Sequence, residues 1–182
     1  MLIQQIQKWL KDSSGTTAIE FALLAIPFFT LTLAIIEMAI MFTTASVLEG
    51  ATGSTARLIR TGQIQQGAAN PTAQEEMFRD AFCGNITALV KCSDVEIEVV
   101  NMGSFGSYNS NLPQFDGNGD LVSRGFDAGG VSDVILIRAG YRYRLMTPFV
   151  NMLLGEGSTG TRYFMSTIVL QTEPYEFVGE EA

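Results

Sequence analysis

Apolar residues are spread unevenly along this chain. From Phe21 to Phe42 they run almost without interruption, as FALLAIPFFTLTLAIIEMAIMF, and Glu37 is the one charge in those 22 residues. An amphipathic helix of a soluble domain would place polar residues at every third or fourth position, and this run does not. At about 1.5 Å per residue it covers roughly 33 Å as a helix, against about 30 Å for the hydrocarbon core of a bilayer. The run predicts a membrane-spanning helix. The helical pattern then continues at lower density, with Val47, Leu48, Ala51, Thr55, Leu58 and Ile59 on one stripe and Gly62 as a natural stop. One long helix is expected over 17–60. Its first half faces lipid and its second half packs on a folded head.

Before the run, Leu2, Ile3, Ile6, Trp9 and Leu10 fall on one helical face, with Gln4, Gln7, Lys8 and Lys11 opposite. This predicts a short interfacial helix. The lysines favour a cytoplasmic N-terminus, although Arg57 and Arg60 beyond the run weaken the bias. After the long helix, 63–70 reads as a polar linker. A second helix is expected from Asn70 or Thr72 to Gly84, with Pro71 in its first turn, Thr72 and Glu75 as a capping box, and Met77, Phe78, Ala81 and Phe82 facing inward. Asp94 to Val100 alternates as a half-buried strand, setting Val95, Ile97 and Val99 against Glu96, Glu98 and Val100. Residues 101–130 are rich in Gly, Asn, Ser and Asp and predict a long loop anchored by Phe105, Tyr108, Phe115 and Phe126. Val131 to Leu145 reads as a second strand, Phe149 to Leu154 as a short helix followed by the flexible GEGSTG, and Arg162 to Gln171 as a third strand. The expected fold class is α+β, with a mostly antiparallel sheet of three strands, or slightly more, covered on one face by the long helix.

Composition narrows the chemistry. The chain has 182 residues, a formal net charge of −8 and no histidine. That charge opposes contact with a phosphate backbone, so nucleic acid is not an expected partner. Arg138, Arg142 and Arg144 make a local basic patch, for which a solvated strand edge is the plainer account. Without histidine the commonest general base and transition-metal ligand are missing, and no nucleophile elbow, P-loop or CxxC pair is present. Neither an enzyme nor a cofactor is expected. Cys83 and Cys92 lie nine positions apart, which suggests a local disulfide in an exported domain, the alternative being two reduced core thiols. Asp116, Asn118 and Asp120, with Asp127 at the twelfth position, have EF-hand spacing, but Leu121 replaces the turn glycine and Arg124 puts a cation at position nine. A Gly/Asn/Asp turn is the plainer account, and no metal site is expected there.

Gly15 followed by Thr16-Thr17-Ala18-Ile19-Glu20-Phe21 resembles the processing motif of type IV prepilins. Pro27, Ile35-Ile36-Glu37-Met38, Leu48-Glu49-Gly50-Ala51, the exit from Ala56 to Gly62, and Gln171-Thr172-Glu173-Pro174-Tyr175 further resemble TadE-like proteins, minor pilins or pseudopilins of the tight-adherence (Tad/Flp, type IVc) pilus. The match is specific over about residues 15–62 and loose beyond. It implies a leader over 1–15, cut after Gly15 by a prepilin peptidase, a long helix over 16–62 with its span at 21–42, and a periplasmic α+β head over 63–182. The implied protein is a single-pass inner-membrane subunit with a cytoplasmic N-terminus. It takes part in assembling a pilus used in surface attachment, possible incorporation into the pilus included. Its implied partners are the prepilin peptidase, the assembly platform, the major Flp pilin and a second minor pilin.

The residues give these roles a physical sense. Cleavage creates an amine on Thr16, and Glu20 of one subunit can neutralise that amine on a neighbour. Pro27 should kink or locally unwind the span. Glu37 either contacts another subunit or the platform, or snorkels to the outer surface. Two other outcomes of processing compete: an uncleaved anchor from Met1, and signal-peptidase cleavage after Thr43-Thr44-Ala45. The alternative function is a membrane-anchored periplasmic binding or adhesin module, calcium-dependent through Asp116 to Asp127 and outside any pilus.

Overall fold

The computed structural model describes residues 15–86, 89–156 and 160–175. The interfacial helix expected before Gly15, and the middle of the GEGSTG connection, lie outside the described residues.

Helix α1, Thr16–Arg60, is 45 residues long and contains Pro27. The local unwinding expected at Pro27 is not seen, since the residues on both sides remain helical. Proline still supplies no N–H to the carbonyl four residues back, that of Leu23. The Thr30 and Thr32 hydroxyls donate to the carbonyls of Ile26 and Phe28, at 2.8 Å each, so neither is left unpaired on an apolar surface.

The buried positions of α1 begin at Ala34 and continue through Glu37, Met41, Thr44, Leu48, Thr52, Thr55 and Ile59. They recur every three or four residues, which makes one face of a helix. No residue from Thr16 to Leu33 is buried. The head therefore covers one side of α1 well before Phe42, where the lipid-facing half was expected to end. The cause is an apolar cluster in which Tyr143, Leu145 and Val150 close on Ala34 and Met41.

Beyond Arg60 the chain turns sharply. Gly62 has φ +75°, and a Cβ there would lie 2.6 Å from the Tyr175 ring, so both conformation and space call for glycine. The expected polar linker is instead a short helix, α2, Gln63–Gly67. Ile64 is fully buried in it, and the Gln65 amide donates to the carbonyl of Ala128 at 2.8 Å. Helix α3, Pro71–Gly84, is capped by Asn70, whose side chain accepts from the Ala73 N–H at 2.9 Å. The expected Thr72–Glu75 box does not form, because the cap falls two residues earlier and Glu75 faces Arg79 at 3.8 Å. Phe78 and Phe82 supply the buried face of α3.

Strands β1, Val95–Asn101, β2, Val134–Arg144, and β3, Thr161–Gln171, form one antiparallel sheet in the order β1-β2-β3. A seven-residue helix, α4, Pro148–Leu154, joins β2 towards β3. Alternation puts Val95, Ile97, Val99, Ile135, Ile137 and Ala139 in the main core with Leu48, Ala51 and Ile59 of α1. β2 is the central strand, so the solvated-edge account fails for Arg138 and Arg142 and holds for Arg144 at the strand's exposed end. Arg138 is fully buried and Arg142 is partly so.

Candidate assembly surface

Gly15, Thr16, Glu20 and Phe21 lie together at the exposed start of α1. The Glu20 carboxylate makes no hydrogen bond or ion pair with any described residue. The following apolar side chains, from Phe21 to Leu33, are mostly more than half exposed. The bare part of the helix, 16–33, is roughly 27 Å long at 1.5 Å per residue, close to a hydrocarbon thickness. α1 is the one described helix long and apolar enough to cross a membrane. Its surface there is what lipid or a neighbouring helix would cover.

Glu37 behaves differently from either expectation. It is 2% exposed. One carboxylate oxygen accepts from the Met146 N–H and the other from the Thr147 N–H at 2.8 Å, just before α4. A buried carboxylate is tolerated when hydrogen bonds replace its water, and two backbone donors do so here. Both oxygens thus accept from within the chain, so in the isolated subunit Glu37 is a buried structural group that joins α1 to the segment before α4. Its donors lie 109 and 110 residues further along, beyond reach of any local pattern.

Two of the tracts that carry the resemblance meet at the far end of α1. The Glu173 N–H donates to the Arg60 carbonyl at 2.8 Å, and the Arg60 guanidinium faces the Glu173 carboxylate at 3.2 Å. Tyr175 covers Gly62. The closing tract therefore seals the end of the long helix.

The long loop folds onto the other face of the sheet. Phe105 and Tyr108 are exposed and do not anchor; Phe115, half-exposed, stands edge-on against Tyr163 of β3 at 5.9 Å, and Phe126 packs against Phe78 at 5.4 Å. Charged groups hold the rest. Glu98, opposite Arg138 in the register, is fully buried. It accepts from Arg138 at 2.7 Å and from the Arg124 side chain at 2.6 Å, and both arginines reach the Asn111 carbonyl. Burial raises the pKa of Glu98, but hydrogen bonds from Arg124 and Arg138 outweigh it and hold the carboxyl below the usual range.

The Asp-rich turn is also held by an arginine. Arg142 donates to the Asp120 carboxylate at 2.7 Å, to the Asn118 carbonyl at 2.6 Å and to the Thr161 hydroxyl at 3.0 Å. Asp116 accepts from the N–H groups of its own turn, at Asn118 and Asp120, and Asp127 accepts from Gly129. The carboxylates of the EF-hand-like spacing thus point to separate local partners. Cys83 and Cys92 are joined by a disulfide with Cα atoms 5.5 Å apart, tying the end of α3 to the start of β1. Glu98, Arg124, Arg138 and Arg142 were missed as a set. The available clue was opposite charges on the outward parity of two strands, flanking a loop that needs a floor.

These features define a class first: a membrane-anchored, single-pass protein whose apolar N-terminal helix carries an α+β head. A family model described as TadE-like protein matches residues 15–57, from the Gly15 junction through most of α1. This is the family that the N-terminal motifs resemble, and it ties that segment to the tight-adherence pilus system. The match stays within the first third of the chain. No curated protein and no solved structure matches.

Proposed function

We propose that this chain is a minor pilin of a tight-adherence pilus, cut after Gly15 and carried by its helix into pilus assembly. The prepilin peptidase acts at the Gly15–Thr16 bond on the cytoplasmic side of the inner membrane. The assembly platform then brings the processed chain together with a second minor pilin and the major Flp pilin. The reading rests on one observation: a glycine junction leads into a bare apolar helix on which Glu20, the fifth residue of the processed chain, has no partner among the described residues. An exposed carboxylate at that depth is stabilised by a cation, and the amine of Thr16 on a neighbouring subunit is one. The large head suits a minor subunit, because it adds bulk that a densely packed fibre of single helices has no room for.

The test is the mature N-terminus of the full chain, measured by intact mass with and without Gly15→Val. A chain that begins at Thr16, and is lost on substitution, supports the proposal; Glu20→Ala should then abolish incorporation while leaving membrane insertion intact. A chain that begins at Met1 makes the protein a static anchor and ends the pilin reading. A start at Ser46 makes the head a released domain.

A further inference from the structure

The head meets α1 while the helix is still apolar on its outer sides. At the level of Ala34 and Glu37, Ile35 and Ile36 remain more than half exposed, and Phe42, about a turn and a half further on, is 63% exposed. If the bilayer takes up the bare segment from Thr16 onward, about 30 Å of helix ends near residues 35–37. The same level is where α4 docks, through Val150 and the half-buried Leu154 against Ala34 and Met41.

The outer side of α4 is strongly apolar. Met146 is 70% exposed, Phe149 44%, Met152 76% and Leu153 62%. The segment Leu145–Gly155 contains no charged residue, and it is bounded by the exposed Arg144 and by Glu156. Apolar side chains gathered on one short helix beside a membrane span are an interaction surface. Of the possible occupants, the bilayer is the one already at this height, because the surface of α4 continues the lipid-facing surface of α1. Glu37 fixes the arrangement: its carboxylate grips the N–H groups of Met146 and Thr147 and so sets α4 at one depth along the helix.

We propose that α4 is a foot by which the head rests on the membrane, with Phe149, Met152 and Leu153 seated in the boundary between headgroups and acyl chains. The head then stands at a fixed height rather than swinging on a tether. Arg144 supplies a cation at headgroup level beside the foot.

The test uses the full chain in lipid nanodiscs carrying an environment-sensitive fluorophore on Met152→Cys, with Leu153→Cys as a second site. The bonded native cysteines do not react with the label. Phe28→Cys, read with lipids spin-labelled deep in the acyl chain, reports the span and Gln114→Cys reports the exposed loop. The foot is supported if the labels at 152 and 153 are quenched at least twofold by lipids spin-labelled near the headgroup and are shielded from iodide, while the label at 114 shows the reverse. If 152 and 153 behave like 114 while 28 is quenched by lipid, α4 faces water and the proposal fails alone. If 28 is not quenched by lipid, the membrane reading falls and takes the foot with it. Shielding that disappears as the protein is diluted into excess lipid assigns the surface to a second copy of the chain and overturns the lipid assignment.

Discussion

Replacing Glu98 with glutamine should destabilise the head far more than a surface substitution would. Glu98 and Arg138 are both fully buried, and one oxygen of Glu98 takes the Arg138 guanidinium at 2.7 Å. Glutamine leaves that guanidinium in the core without a counter-charge. Breaking a buried pair from one side costs about 3–5 kcal/mol. Glutamine keeps one acceptor oxygen, and Arg124, 26% exposed, can turn towards water, so we place the loss near the lower end of that range, at about 3 kcal/mol. For a head of this size the melting temperature should fall by about 10–15 °C, read by circular dichroism on the full chain in nanodiscs. The loop should loosen as well, because Glu98 accepts from both the backbone and the side chain of Arg124. Trypsin cleavage after Arg124 reports that loosening. The double change Glu98→Leu with Arg138→Met should recover most of the stability, since an apolar pair can replace a buried ion pair, yet Arg124 should remain open to trypsin. A Glu98→Gln head within about 1 kcal/mol of the parent, or a double variant no more stable than the single one, would refute the reasoning.

The same group sets an acid limit. The carboxyl of Glu98 titrates lower in the folded head than in the unfolded chain, where it is near 4.3, so its contribution is complete above that value and is lost as pH falls through the folded pKa. Melting temperature against pH should drop below about pH 4, and Glu98→Gln should flatten the drop. Cys83→Ser with Cys92→Ser opens a short loop and should cost about 2–3 kcal/mol in denaturant unfolding; an unchanged midpoint would mean that the bond adds nothing. Millimolar calcium should leave the melting temperature unchanged, because the Arg142 guanidinium already holds Asp120 and the turn carbonyl of Asn118. A calcium-dependent rise would revive the binding-module alternative.

Much of the architecture was legible because it is periodic. The apolar run and the stripe from Val47 to Ile59 gave one helix, and strict alternation gave three strands whose inward residues are those of the core. What stayed hidden depends on partners distant in sequence. Glu98 sits on the polar parity of β1 and reads as solvated until Arg138 on β2 and Arg124 in the loop are placed over it. Glu37 reads as a residue in search of another subunit until Met146 and Thr147 close on it. The stretch after Gly62 reads as a linker because Gln65 and Gln66 are polar, yet Ile64 is the residue that fixes it. Two of the aromatic anchors failed for a related reason: size alone made Phe105 and Tyr108 look inward, whereas Glu98 and the small Ala128 are buried in their place. The Gly15–Glu20 motif is local, and the TadE-like family model matches from Gly15 onward; its processing is what the mature N-terminus tests.

The head is fastened to α1 at two heights. Glu37 holds the segment before α4 near the lower end, and Arg60 with Gly62 holds the closing tract at the upper end. Two attachments about 23 residues apart along one rod leave the head no freedom to swivel around it. The azimuth of the helix is therefore the azimuth of the head. Whatever turns the span in the plane of the membrane, a neighbouring helix or a lipid contact, turns the whole head by the same angle. The side that the head presents is therefore set by the rotation of the helix that carries it.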